Sequence, residues 1–352
     1  AASRSLYVLP TDKTAYDSGV AMLNVDTGTI TMLPLPAWPT PASTSLRSTG
    51  GTFVASASVI YIIPATSSNI VKFSTSDPQG RSSILKIPSD VVSLDTAHHH
   101  FSGSTYDGTH VWFAAHTASH IIKLDPKTDA ITKAVAMDHL YPASQSPYFC
   151  GVVFDGESSV YFTPYRASTV LQVNIHTDVV TQWRGWPSIN RFNKNERQFC
   201  GGAVGGGRLW LPPIAGSAPP MIVSMRLDNG GMDAVTLPAS IAPGNNFFVS
   251  ACFDGETVHF TPLTADGIVS INVSSGAVAA RKTFPWLTGD GGKTDETGFR
   301  GAVFDGQSLW LVPLNAVGEL IQFSHLPTAA ALSPTVPIDQ VLNQDGSSFS
   351  PP

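Results

Sequence analysis

Charge is scarce in this chain. Only 13% of its 352 residues are Asp, Glu, Lys or Arg, and the formal net charge is −6. No run of Lys or Arg supplies the basic footprint that nucleic acid requires, so nucleic acid is not an expected partner. Long apolar runs are missing too. No stretch approaches the roughly 18 residues of a membrane-spanning helix, and membrane insertion is not expected. Cysteine is rare and odd in number: Cys150, Cys200 and Cys252. Three cysteines cannot form a disulfide framework, and neither CxxC nor Cys/His zinc spacing occurs. No long stretch repeats its apolar residues at the helical period, and Pro and Gly interrupt the chain throughout, which excludes a helical fold.

What remains is a chain that is 42% hydrophobic, with 30 Gly and 27 Pro. Low charge with abundant Ser, Thr, Pro and Gly fits a secreted, extracellular protein. The start at Ala1-Ala2, without Met or a signal segment, reads as a processed product. One glycosylation sequon occurs, Asn272-Val273-Ser274, and it matters only in a glycosylating secretory route.

The organising feature is a repeat. A short apolar segment with a central ring residue recurs seven times, as in Ile60-Tyr61-Ile62, Val111-Trp112-Phe113, Val160-Tyr161-Phe162 and Leu309-Trp310-Leu311. The ring positions are 7, 61, 112, 161, 210, 259 and 310, separated by 54, 51, 49, 49, 49 and 51 residues. Before the segment comes a strand and a tight turn, as in Gly151-Val152-Val153-Phe154-Asp155-Gly156 and Gly301-Ala302-Val303-Phe304-Asp305-Gly306. Asp-Gly between apolar runs is a strong hairpin signal. After it comes a third strand, as in Ile121-Ile122-Lys123-Leu124, and a fourth that often ends in an apolar-Pro step such as Leu237-Pro238. Each unit is four short antiparallel strands. Such a sheet cannot bury both faces alone, but stacked copies can. The expected fold is therefore an all-β, seven-bladed β-propeller with the ring residues between blades.

Blade ranges follow from the period: about 3–38, 50–90, 99–137, 148–186, 198–238, 246–285 and 298–334, with a tail over 335–352. Blade 1 lacks its innermost strand. From Trp310 through Pro352 and on to Tyr7 is 49 steps, the internal period. The tail is thus expected to close the ring by supplying that strand, from Ser347 to Ser350 or from Pro337 to Leu342. A tail donated to a neighbouring copy would instead build a filament.

Units such as Asp107-Gly108-Thr109-His110-Val111-Trp112-Phe113, followed by Ile121-Ile122-Lys123-Leu124-Asp125, resemble repeats of the streptogramin lyase and NHL/YVTN-like propellers. The segment from Val25 to Pro34 is similar. The likeness covers the whole chain, concerns fold-making positions, and implies the propeller fold. The lyases are metal-dependent and use a His and acidic groups on one face. No residue here matches that site one for one, so none is carried over.

In a propeller the loops from a fourth strand to the next first strand, and from second to third strand, gather on the face where ligands bind. This nominates Arg47, His98 to His100, Tyr148, Asn193 to Arg197, Asn245, Asn246 and Asp290 to Arg300 from the first set. The second set supplies Asp12, Lys13, Asp17, His116, His120, Tyr165 and Arg166. Seven of the ten histidines lie between residues 98 and 139. Imidazole is a good metal ligand, and His98, His100, His116 and His120 are the metal candidates. A polar loop without a ligand is the default, and no cofactor is expected. Cys150 and Cys200 occupy equivalent places in adjacent blades. A bridge needs Cα atoms within about 7 Å, and inner strands are often farther apart, so free, buried thiols are expected.

No nucleophile elbow or Ser-His-Asp arrangement stands out. The expected function is a non-catalytic extracellular module. It would act through a protein partner or self-association, with a small molecule or sugar as further ligand classes. The alternative is a metal-assisted lyase or hydrolase on the loop face.

Overall fold

A computed structural model describes residues 4–10, 19–35, 48–77, 82–92, 99–187, 197–214, 221–239, 241, 247–282, 298–313, 319–324 and 336–337. The chain divides into two units: 1–186 with 191–201, and 187–190 with 202–352. Both are built from antiparallel blades, and the fold class is the all-β, seven-bladed β-propeller. Helical structure among the described residues is confined to the short 3₁₀ turns Ala55–Ala57 and Ala143–Gln145. No described helix is long and apolar enough to cross a membrane.

The first unit carries blades 1 to 4. Blade 1 has three strands, Ser5–Val8, Val20–Asn24 and Ile30–Leu33. Blade 2 has four: Ser48–Val54, Val59–Pro64, Asn69–Ser74 and Ser82–Lys86. Blade 3 runs Phe101–Tyr106, Val111–Ala115, His120–Leu124 and Ile131–Ala136. Blade 4 runs Phe149–Phe154, Ser159–Pro164, Val170–Asn174 and Val180–Trp183.

The second unit carries blades 5 to 7. Blade 5 is Ala203–Gly205, Arg208–Leu211, Met221–Arg226 and Met232–Thr236. Blade 6 is Phe248–Phe253, Thr257–Pro262, Gly267–Asn272 and Val278–Lys282. Blade 7 is Phe299–Phe304, Ser308–Pro313, Glu319–Ser324 and Val336–Pro337. Pro337, the first residue of one expected closing segment, thus lies in blade 7's outer strand, paired with Glu319. The rest of the tail, 338–352, lies outside the described residues, and so does the expected closing strand of blade 1.

The recurrent ring residues mostly pack as the repeat demands. Tyr61, Trp112, Tyr161, Trp210 and Trp310 are buried, while Tyr7 and His259 are partly so. In the first unit, blades 2, 3 and 4 share one core through Tyr61, Trp112, Phe101, Phe149 and Phe162. Fully burying one such side chain contributes about 1.5–3 kcal/mol.

The Asp-Gly turns do more than reverse the chain. Asp107 Oδ1 accepts the Thr109 and His110 amides at 2.7 and 2.6 Å, and its Oδ2 accepts Trp112 Nε1–H at 2.6 Å. Asp305 does the same for Gln307, Ser308 and Trp310. One carboxylate therefore forms the turn and anchors the core ring of the next strand. In blade 6 the ring is His259, whose Nε2 lies 2.8 Å from Asp254 Oδ2.

The inner strands of blades 3 and 4 approach their neighbours through glycine. A Cβ on Gly103, at φ +94°, would lie 2.7 Å from Gly151 Cα. A Cβ on Gly151, at φ +145°, would lie 2.8 Å from Gly201 Cα. Only glycine permits that contact. The expectation of free thiols fails here. Cys150 and Cys200 are disulfide-bonded, with Cα atoms 4.6 Å apart. The glycine after each cysteine removes the side chains that hold inner strands apart, and the Gly201 amide donates to Cys150 O at 2.5 Å. Cys252 is the free thiol, and burial pushes its pKa up to about 12.

Candidate functional site

The site is built from loops of the first unit, and main-chain hydrogen bonds position them. His100 N–H donates to Ala65 O at 2.6 Å, and His116 N–H to His100 O at 2.9 Å. Tyr148 N–H donates to His116 O at 2.7 Å, Tyr165 N–H to Tyr148 O at 2.8 Å, and Gln198 N–H to Tyr165 O at 2.9 Å. The second-to-third-strand loops of blades 3 and 4 are thereby each tied to the entry segments on both sides, and that of blade 2 to the one that follows it. The second unit repeats the device with apolar residues: Phe247 N–H donates to Ile214 O, and Leu263 N–H to Phe247 O.

This relay defines a register that loop assignment alone does not show. Four residues past each ring position stand Thr11, Ala65, His116, Tyr165, Ile214, Leu263 and Leu314. Ala65, Ile214 and Leu263 hold the described relay with apolar side chains. The fold therefore does not require His and Tyr at this position, yet blades 3 and 4 have them.

The His116 and Tyr165 rings pack at a 57° tilt with their centroids 4.9 Å apart. His99 extends the cluster, its ring tilted 34° and 5.8 Å from that of His116. The Arg197 guanidinium lies 5.9 Å from the Tyr165 centroid, within cation–π range. His116 is largely buried, Tyr165 and His99 are half-buried, and Arg197 is exposed. His116 Nδ1 lies 2.7 Å from Phe149 O. A carbonyl oxygen only accepts, so Nδ1 must carry the proton. The result is a cluster of tilted rings with an exposed cation over one of them.

The nominated residues divide accordingly. His99, His116, Tyr165 and Arg197 come together. Tyr148 joins through its backbone, and its ring is buried 5.9 Å from that of Tyr141. Burial raises the Tyr148 pKa, with the Asp138 charge adding to it. His100 is buried in the relay. His120 turns to Ser119, its Nδ1 2.9 Å from Oγ. Arg166 follows Tyr165, and its Nε is buried. Arg300 belongs to the second unit, on the entering strand of blade 7. Arg47, His98, Asn246, Asp12, Lys13, Asp17, 193–196, Asn245 and 290–297 lie outside the described residues. Among the described residues, no three of His, Cys, Asp and Glu converge to hold a metal ion.

Asn272 serves a turn. Its Oδ1 accepts the Ser274 and Ser275 amides at 3.1 and 2.9 Å, as Asn24 and Asn174 do in their own hairpins. Its Nδ2 donates to Glu256 Oε1. Gln198, which loop membership does not single out, is buried beside Arg197. Alignment of the repeat on its ring residues is the signal that finds it, because it stands 12 residues before Trp210, as His100 stands before Trp112.

No family model and no curated protein matches the chain. Solved structures do match in fold. Streptogramin B lyase is 16% identical, with 84% of each chain covered and a TM-score of 0.59. The β-propeller domain of Myceliophteria thermophila Cps50 (Swd1) is 9% identical, covering 83% of this chain and 86% of that one, with a TM-score of 0.56. A chain of the nidogen/laminin complex is 10% identical, covering 79% and 92%, with a TM-score of 0.51. These likenesses span proteins of different function and establish the propeller fold alone.

Proposed function

We propose that the chain is a non-catalytic extracellular recognition module that works through the loops bearing His99, His116, Tyr165 and Arg197. The observation that carries this reading is the break in the repeat. A relay position that other blades fill with Ala65, Ile214 and Leu263 holds His116 and Tyr165 in two adjacent blades, their rings packed together at a tilt and a cation over the Tyr165 ring. Ring faces with a guanidinium are binding elements. The Cys150–Cys200 bridge supports an oxidising, extracellular compartment.

The test is a display of glycans, peptides and small organic acids probed with the native chain and with Tyr165→Leu, which copies the chain's own Leu263. Signals lost in the variant, with an unchanged melting temperature, support the reading. Signals that survive place recognition elsewhere. Turnover of a bound compound, stopped by EDTA, would establish the metal-assisted enzyme instead.

Self-association is a second form of this reading. Ile84, Val180 and Val278 are exposed on the outer strands of blades 2, 4 and 6, and apolar strand edges favour pairing between copies. Sedimentation showing only monomers at micromolar concentration would remove it.

A further inference from the structure

Two cations on the segments at the ring cluster have, among the described residues, no ion-pair partner of the kind that four other cations of the same unit have. Arg4 pairs with Asp26, Lys72 with Asp129, Lys123 with Asp178 and Lys133 with Asp90. Arg166 and Arg197 make no ion pair among the described residues. Arg166 Nε is also buried without a hydrogen-bond partner among them. A buried guanidinium N–H with no acceptor is costly, so the site calls for a further acceptor, water or ligand.

The two arginines are 31 positions apart in sequence but stand on neighbouring segments. The Gln198 amide donates to Tyr165 O, which holds the segment carrying Arg197 against the segment carrying Arg166. Arg197 lies over the Tyr165 ring, and the His116 ring of blade 3 packs against it at a tilt. A guanidinium is a planar fork of donors with no acceptor, matched to carboxylate and phosphate oxygens. Two of them repel a metal cation and attract an oxyanion. The half-buried Tyr165 beside them offers a flat apolar surface.

We infer that Arg166 and Arg197 receive the oxyanion of a small aromatic or planar ligand, a carboxylate or a phosphate, whose flat part packs on Tyr165. This inference rests on the recognition reading above and names its ligand class. It adds a role for Arg166, which is outside the ring cluster.

Calorimetric titration of the intact chain at low salt tests it, with benzoate, phenyl phosphate, inorganic phosphate and benzylammonium as probes. The expected result is binding of phenyl phosphate or benzoate, with the preferred one identifying the oxyanion, and no heat from benzylammonium. Inorganic phosphate should bind about tenfold or more weakly than phenyl phosphate, for want of the flat group. Arg166→Gln and Arg197→Gln should each weaken the aromatic anion by about tenfold or more. Tyr165→Leu should bring phenyl phosphate down to the level of inorganic phosphate. If Arg166→Gln lowers the melting temperature, Arg166→Lys keeps the charge and removes the fork, and it should still weaken phenyl phosphate.

The inference is overturned if no anion binds the folded native chain. It is equally overturned if both Gln variants bind as the native chain does. Array signals that depend on Tyr165, come from uncharged compounds and survive both Gln variants would overturn it while leaving the recognition reading standing.

Discussion

Replacing both Cys150 and Cys200 by alanine should lower the melting temperature by several degrees, and the size follows from loop length. The bridge joins residues 50 positions apart. Restricting an unfolded loop of that length corresponds to roughly 4 kcal/mol in the chain-entropy account. Unfolding entropy near 2.1 cal/mol/K per residue gives about 0.7 kcal/mol/K for a chain of this length, hence a drop of about 5 °C. If the bridged unit, 1–186 with 191–201, melts by itself, the drop is about 10 °C, because fewer residues share the loss. Differential scanning calorimetry of the double variant, and of the native chain with and without reductant, measures it. Thiol counting supplies the control. Denatured unreduced chain should show one reactive thiol, Cys252, and reduced chain all three. Native chain should react slowly, since burial holds the Cys252 thiol at about 12. Three thiols before reduction, or a double variant within about 1 °C of the native chain, would refute the reasoning.

Three further outcomes are expected. Asp107→Ala strands the buried Trp112 Nε1–H and two turn amides, so urea denaturation should show a loss of about 2–4 kcal/mol. Gly151→Ala puts a Cβ 2.8 Å from Gly201 Cα at φ +145°, and the same assay should show about 3 kcal/mol lost, with slower bridge formation on reoxidation. Burial raises the Asp254 pKa, but the His259 hydrogen bond and the Glu256 and Thr257 amides outweigh it, leaving the folded value below the ordinary 3.8. A depressed carboxylate stabilises the fold above pH 3.8 and loses that contribution as pH falls through the folded value. His259→Leu removes one of the groups opposing burial, so its acid-unfolding midpoint, followed by Trp fluorescence, should move to higher pH. An unchanged midpoint would contradict the assignment.

The blades were legible because each repeats one local pattern. Ring residues at near-constant spacing and Asp-Gly turns specify hairpins wherever they occur, and the described strands fall where those signals place them. The second duty of Asp107 was not legible, since a turn signal says nothing of where the other carboxylate oxygen reaches. The bridge departs from what typical inner-strand spacing implies. Gly151 and Gly201, each directly after a cysteine, were the local evidence for a closer approach. Loop membership points to His116, Tyr165 and Arg197, but their contact depends on the Tyr148–His116 and Gln198–Tyr165 main-chain bonds, 32 and 33 positions apart in sequence, which no local pattern encodes.

The main-chain relay from Ala65 to Gln198 has an evolutionary consequence. Amides and carbonyls are common to almost all residues, so the loops keep their geometry whichever side chains they bear. Substitution at this rim can therefore alter what the surface attracts without disturbing what holds it in place. The chain already displays that freedom within itself: Ala65, His116, Tyr165, Ile214 and Leu263 are five solutions to one backbone requirement, three of them aliphatic and two with polar rings.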